Sequence, residues 1–173
     1  FIENRGEKSQ GQVILLGLTG MEEIELSGNR PLTHKIFKHM AKTLKKETES
    51  VEDALVARLP RREFAAILPG STPEKGLAIA KAAISNFLPG LMHEKDLPDS
   101  IAVYGGRASY NYEDDLGTVL SKVDYALSKA RTESHGTVRI FSEGQAQTAI
   151  GKAAWKTLIE EAFSEKRFFL TAQ

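Results

Sequence analysis

The chain has 173 residues, and its 23 basic and 23 acidic side chains cancel to a formal net charge of zero, so no global field steers it toward nucleic acid or a membrane surface. It contains no cysteine, which excludes disulfides and thiolate metal sites and fits a reducing, cytoplasmic setting. No apolar run reaches the roughly 18 residues that span a bilayer, no signal peptide is visible, and a composition of 41% hydrophobic and 27% charged residues is that of one ordinary globular domain with a short appendage. Both ends, Phe1 without a methionine and the strand-like Phe168-Phe169-Leu170, read as cuts through a longer protein.

Val13 to Leu18 is a continuous apolar run of strand length, expected to be buried. Leu32, Ile36, Phe37, Met40 and Leu44 recur at helical spacing and predict an amphipathic helix over 31–47. Its outer face carries Lys35, Lys38, Lys42, Lys45 and Lys46; such a face is most often solvated, and less often meets a partner or an anionic membrane. Ala54–Leu59 and Glu63–Leu68 read as two short strands joined by the polar turn Pro60-Arg61-Arg62. Ser71-Thr72-Pro73-Glu74 fits a capping box with proline in the first helical turn. The helix it opens buries Leu77, Ala80, Ala83, Ile84, Phe87 and Leu88 and stops at Pro89-Gly90. A polar loop over 91–99 leads to a strand, Ser100–Tyr110, with Gly105-Gly106 inside it. Leu116, Val119, Leu120, Val123, Ala126, Leu127 and Ala130 mark a third helix, and Thr137–Phe141 a last short strand. Further on, Trp155, Leu158, Ile159, Ala162 and Phe163 form a helical stripe, which is packing in most proteins. The four histidines, His34, His39, His93 and His135, show no metal-ligand spacing beyond the first two. Strands alternating with helices around one hairpin indicate an α/β sandwich, helices covering a mixed sheet.

The hairpin is the most informative stretch. Ala57-Arg58-Leu59-Pro60-Arg61-Arg62-Glu63-Phe64 resembles the signature hairpin of the GGDEF (diguanylate cyclase) family, Arg-Leu-Gly-Gly-Asp-Glu-Phe. Arg58, Leu59, Glu63 and Phe64 match; Pro60 and Arg61 replace the two glycines, and Arg62 replaces the acid. Asn4-Arg5 fits the end of the family's opening segment, and Val123-Asp124-Tyr125-Ala126-Leu127-Ser128-Lys129-Ala130-Arg131 resembles its late Ala-Asp-x-Ala-Leu-Tyr-x-Ala-Lys helix. The resemblance covers about residues 3 to 142. The division it implies is a degenerate GGDEF-like domain over 1–142, a linker over 143–151, and at 152–173 the first helix and strand of an EAL (cyclic-di-GMP phosphodiesterase) domain, which opens with a Trp-bearing helix and a strand ending in Gln.

The resemblance implies a nucleotidyl-cyclase-like α/β fold with a mixed central sheet, and it locates the chemistry. A diguanylate cyclase joins two GTP molecules held face to face by two domains, with two divalent cations on each triphosphate. Hard cations need oxygen ligands. The two carboxylate positions fall on Gly17, which has no side chain, and on Arg62. Two like charges about 4 Å apart repel by roughly 1–4 kcal/mol between water-like and surface-like dielectric, so a cation binds poorly beside Arg62. No metal, no cofactor and no catalytic residue is therefore expected. Glu63, which the family uses beside the nucleophile, and Arg131, at the position of its phosphate-binding lysine, remain as remnants of a nucleotide site. The ungapped register from Gly17 puts Glu22 at the family's lysine after Phe, and Glu25 and His34 at the positions that read guanine. An ionised Glu25 can only accept hydrogen bonds. Residues 47–54 contain no arginine, so the product-binding Arg-x-x-Asp site is absent as well. Pro60 fixes φ near −65° and removes an N–H, which predicts a Pro-initiated type I turn with a solvated tip at Arg61 and Arg62. Phe64, the usual kind of core residue, is expected to point inward with Ala66 and Leu68.

These expectations describe a non-catalytic regulatory domain of a bacterial GGDEF–EAL protein. It would act on the adjacent EAL domain, on another copy of itself or on a docked partner, meet cyclic-di-GMP only through the EAL domain, and bind no nucleic acid. Its expected location is the cytoplasm, including the cytoplasmic part of a membrane-anchored protein. Two alternatives stand beside it: a divergent cyclase that still makes cyclic-di-GMP, and a pseudo-enzyme that binds GTP as an allosteric ligand.

Overall fold

A computed structural model of the protein describes residues 10–142. Asn4-Arg5, the linker, the Trp155 stripe and the closing strand lie outside the described residues. The elements run β1 (Gly11–Thr19), α1 (Glu22–Leu26), α2 (Arg30–Thr48), β2 (Leu55–Leu59), β3 (Glu63–Pro69), α3 (Pro73–Phe87), a 3₁₀ turn at Pro89–Leu91, β4 (Ala102–Tyr110), α4 (Leu116–Ala130) and β5 (Val138–Ile140). Within the described residues, each strand and long helix expected from the sequence is present, displaced by a residue or two. The short α1 is an addition.

The five strands form one sheet in the order β2-β3-β1-β4-β5. All neighbours are antiparallel except β4 and β5, which are parallel. The central β1 is almost wholly buried, as a strand covered on both faces must be. Ile14, Leu16, Phe64, Ala66, Leu68 and Val103 face a core completed by α2 and α3. Val13, Leu15, Tyr104 and Ala108 face a second core under α4. Phe64, Ala66 and Leu68 are fully buried, as the alternation along β3 requires. The Gly105-Gly106 pair in β4 has a packing reason: a Cβ on Gly106 would lie 2.5 Å from backbone atoms of Val123 and Leu127. Only glycine lets α4 sit that close to the sheet.

Caps set the helix starts. The Asn29 side chain accepts from the Leu32 N–H ahead of α2, and Asp115 accepts from Thr118 ahead of α4. The cap of α3 is Thr72, which accepts from the Lys75 N–H, so Pro73 is the first helical residue. The capping-box register from Ser71 is therefore shifted by one.

The hairpin turn corrects a second expectation. A type I turn would hold both central residues at negative φ. Arg61 and Arg62 instead have φ of +61° and +64°. Left-handed turn residues match the right-handed twist of paired strands, and the Arg62 carbonyl is fixed by the Leu18 N–H at 3.1 Å. The turn thus adopts the backbone that glycines allow freely, at a cost of roughly 1–2 kcal/mol for each non-glycine residue.

Two substitutions separate core from turn. Phe64 is fully buried, its ring centroid 6.2 Å from that of Phe37, so Phe64→Ala should destabilise by about 3–5 kcal/mol in chemical denaturation. Arg61 is exposed, and Arg61→Gly should stabilise by about 0.5–1 kcal/mol by relieving the left-handed strain. A destabilising Arg61→Gly would show that the turn carries no such strain.

Candidate functional site

The residues singled out by sequence converge where β1, the hairpin tip, α1 and the end of α4 meet. Sheet register places Gly17 between Glu63 on β3 and Tyr104 on β4. Because Gly17 lacks a side chain, the Arg131 guanidinium reaches over it; a Cβ there would collide with that group. Arg131 is the C-cap of α4, and its Nη2 donates to Glu63 Oε1 at 2.8 Å. The Glu63 side chain is only 12% exposed. A hydrogen bond to a charged group in such a partly buried setting contributes about 1.5–3 kcal/mol.

The second arginine also has acid partners. Arg62 Nε and Nη2 donate to the two oxygens of Glu25 at 2.9 and 2.5 Å, and Nη1 donates to Glu22 at 2.5 Å. Glu22 and Glu25 are three apart on α1, which puts them on one side of the helix. The planar fork of a guanidinium suits the two-oxygen contact with Glu25. Arg62 is therefore a half-buried, paired group and not the solvated tip expected from sequence; that description fits Arg61, which is exposed. The contacts have electrostatic consequences. The hydrogen bond from Arg62, followed by Glu22's own backbone N–H, lowers the Glu22 carboxyl below its ordinary 4.5. Glu25 first and Glu22 second hold Arg62 still more firmly protonated.

The donor set does not suit a divalent cation. Gly17 supplies no oxygen and lies beneath a guanidinium, Glu63 is bonded to Arg131, and both glutamates of α1 are bonded to Arg62. Among the described residues, no group of three His, Asp or Glu side chains is placed to hold a metal ion.

Next to this cluster a cavity of about 450 Å³ opens between α1, α2 and β2. Glu25 and His34, the two positions the register assigns to base recognition, both line it, with Arg30, Phe37 and Arg58. The Arg58 guanidinium lies over the Phe37 ring, its Cζ 4.1 Å from the centroid. His39 points elsewhere: its Nε2 lies 2.9 Å from the Phe87 carbonyl, and its ring packs on Phe87. Phe64 is core, Pro60 and Arg61 are at the tip. Sequence reasoning missed Arg30, although its i,i+4 spacing to His34 on α2 places the two on one face.

The family described as "Diguanylate cyclase, GGDEF domain" matches residues 3–137. The solved structures similar to this chain include the active GGEEF domain of a diguanylate cyclase from Vibrio cholerae, with 16% identity, a TM-score of 0.68 and coverage of 78% of this chain and 84% of that one. The GGDEF domain of TpbB (YfiN) from Pseudomonas aeruginosa is 22% identical, with a TM-score of 0.62 and coverage of 77% and 83%. An EAL/GGDEF domain protein from M. capsulatus is 17% identical, with a TM-score of 0.63 and coverage of 77% and 85%. A comparison with curated proteins gave no match.

The pairing of Glu22 can be measured. A carboxyl whose folded value is depressed contributes stability that is present above its unfolded value and lost as pH falls through the folded one. Glu22 should therefore titrate below 4.5 in an NMR pH series, and Arg62→Gln should raise it, with the lowering by its own backbone N–H remaining. An unchanged Glu22 titration in that variant would show that Arg62 does not hold it.

Proposed function

The chain belongs to the diguanylate cyclase GGDEF family, and we propose that within it this domain is regulatory and not catalytic. The reading rests on one observation: each acid at the site is engaged by an arginine of the same chain. Arg62 takes Glu22 and Glu25, and Arg131 takes Glu63 above Gly17. The cyclase reaction needs two cations to gather the triphosphate and neutralise charge as the 3′-oxygen attacks the α-phosphate. Here the two carboxylate positions hold Gly17 and Arg62, and the acids that remain nearby are bonded to fixed guanidinium charges. These guanidiniums cannot dissociate and cannot lose their protons at physiological pH.

The regulatory output is read from the sequence beyond the domain. Residues 152–173 resemble the opening of an EAL domain, and one similar solved structure is of an EAL/GGDEF domain protein. The domain then relays a signal to, or scaffolds, an EAL domain in the same cytoplasmic chain, and cyclic-di-GMP is met there. No helix among the described residues is long and apolar enough to cross a membrane. The divergent-cyclase alternative draws on the retained signature ends, Arg58, Leu59, Glu63 and Phe64.

Purified chain incubated with GTP and Mg²⁺ or Mn²⁺ should yield no cyclic-di-GMP by mass spectrometry. Product that disappears in Glu63→Ala would overturn the proposal in favour of the divergent cyclase. Calorimetry with GTP at millimolar Mg²⁺ should give no affinity better than about 1 mM, roughly −4 kcal/mol. A micromolar constant without turnover would establish the allosteric GTP reading instead.

A further inference from the structure

The cavity between α1, α2 and β2 has a charge pattern that the ion-paired cluster beside it does not share. Its one acid, Glu25, has both carboxylate oxygens held by Arg62. Its two arginines are not matched in this way. Arg58 makes its cation–π contact with Phe37, and neither Arg30 nor Arg58 has an ion-pair partner among the described residues. His34 lines the same space. Two guanidiniums thus face one concavity with their hydrogen-bond donors unmatched by any acid among the described residues.

Guanidinium groups bind carboxylate and phosphate oxygens through paired N–H donors. Ligand sites combine apolar surface with a few such convergent polar groups. Arg58 is pre-oriented by the ring beneath it. Phe37 is 8% exposed and in contact with Phe64, so this platform is anchored in the core. A guanidinium stacked on a ring offers its outer face to a second planar group. From these features we infer that the cavity binds a small planar ligand bearing an oxyanion, with the oxyanion on Arg30 and Arg58 and the ring against the Arg58–Phe37 stack. This inverts the polarity that the family resemblance assigns to the place, where the edge of a neutral base is read. It goes beyond the regulatory proposal and does not rest on it, because no metal and no turnover is involved.

The test is an NMR titration of the full chain with phenyl phosphate in metal-free buffer. Saturable shifts with a dissociation constant of roughly 1–10 mM are expected for the amides of Arg30, Thr33, His34 and Arg58. Benzoate run in parallel tells a carboxylate from a phosphate preference; saturation by either supports the site. Arg58→Gln and Arg30→Gln, both at exposed positions, should each weaken binding at least threefold. Lys42→Gln, on the outer lysine face of α2, should leave it unchanged, and circular dichroism reports folding. Three results would overturn the inference: no saturation by either anion, equal loss in Lys42→Gln, or guanosine shifting the same amides as strongly as phenyl phosphate. The cyclase assay shares none of these readouts, so the two proposals fail separately.

Discussion

A guanidinium is a cation that the chain cannot release, and two of them fix the charge state of the site. Arg62 comes from the hairpin turn and Arg131 from the end of α4. Between them they bind Glu22, Glu25 and Glu63, the acids gathered around Gly17. Each arginine depends on a permissive backbone feature. Arg131 fits because Gly17 has no side chain. Arg62 reaches α1 from a turn with two successive left-handed residues. Gly17 on the first strand and the residues of the hairpin turn are thus physically linked to the ion pairs.

The two pairs differ in weight. Glu22 and Glu25 have side chains 62% and 39% exposed, and pairs so open to water contribute about 0–1 kcal/mol each. They cannot by themselves offset a turn strained by roughly 1–2 kcal/mol per residue. The twist of the β2–β3 pair and the bond from Leu18 to the Arg62 carbonyl hold the turn. The pairs then decide where the side chain of that turn goes. Glu63 is different: mostly buried, it would be left with an unpaired charge if Arg131 were removed, the costly arrangement in a low-dielectric setting.

The frame of the fold was legible in the sequence because periodicity is a local signal. The strand at Val13–Leu18, the helix stripe from Leu32 to Leu44 and the alternation of Phe64, Ala66 and Leu68 each depend on a few consecutive residues. What escaped depends on short elements or distant partners. The five-residue α1 is too short to show a period. The turn type was misread because Pro60 alone suggests type I, while strand twist, a property of the pair, selects the left-handed form. Arg62 reads as a solvated tip until folding brings it to glutamates 37 and 40 positions earlier. Arg107 is a similar case. It sits in an apolar-looking strand, yet it is 5% exposed, bonded to Gln12 and Ser109, with burial lowering its pKa.

Sheet register and site chemistry are therefore separable here. The pairing of Gly17 with Glu63 on one side and Tyr104 on the other is a backbone property of β1, β3 and β4. It is maintained by cores on both faces of the sheet, to which neither Arg62 nor Arg131 belongs. The charge carried by side chains at the rim is therefore free to vary without disturbing that pairing. The Phe37–Phe64 contact extends the frame to the neighbouring cavity, because it ties the platform under Arg58 to the same core. A rim acid bonded within the chain and a rim arginine left open then sit side by side on one rigid support. The first disfavours a metal-bound triphosphate at the strand end, and the second leaves positive charge facing the cavity.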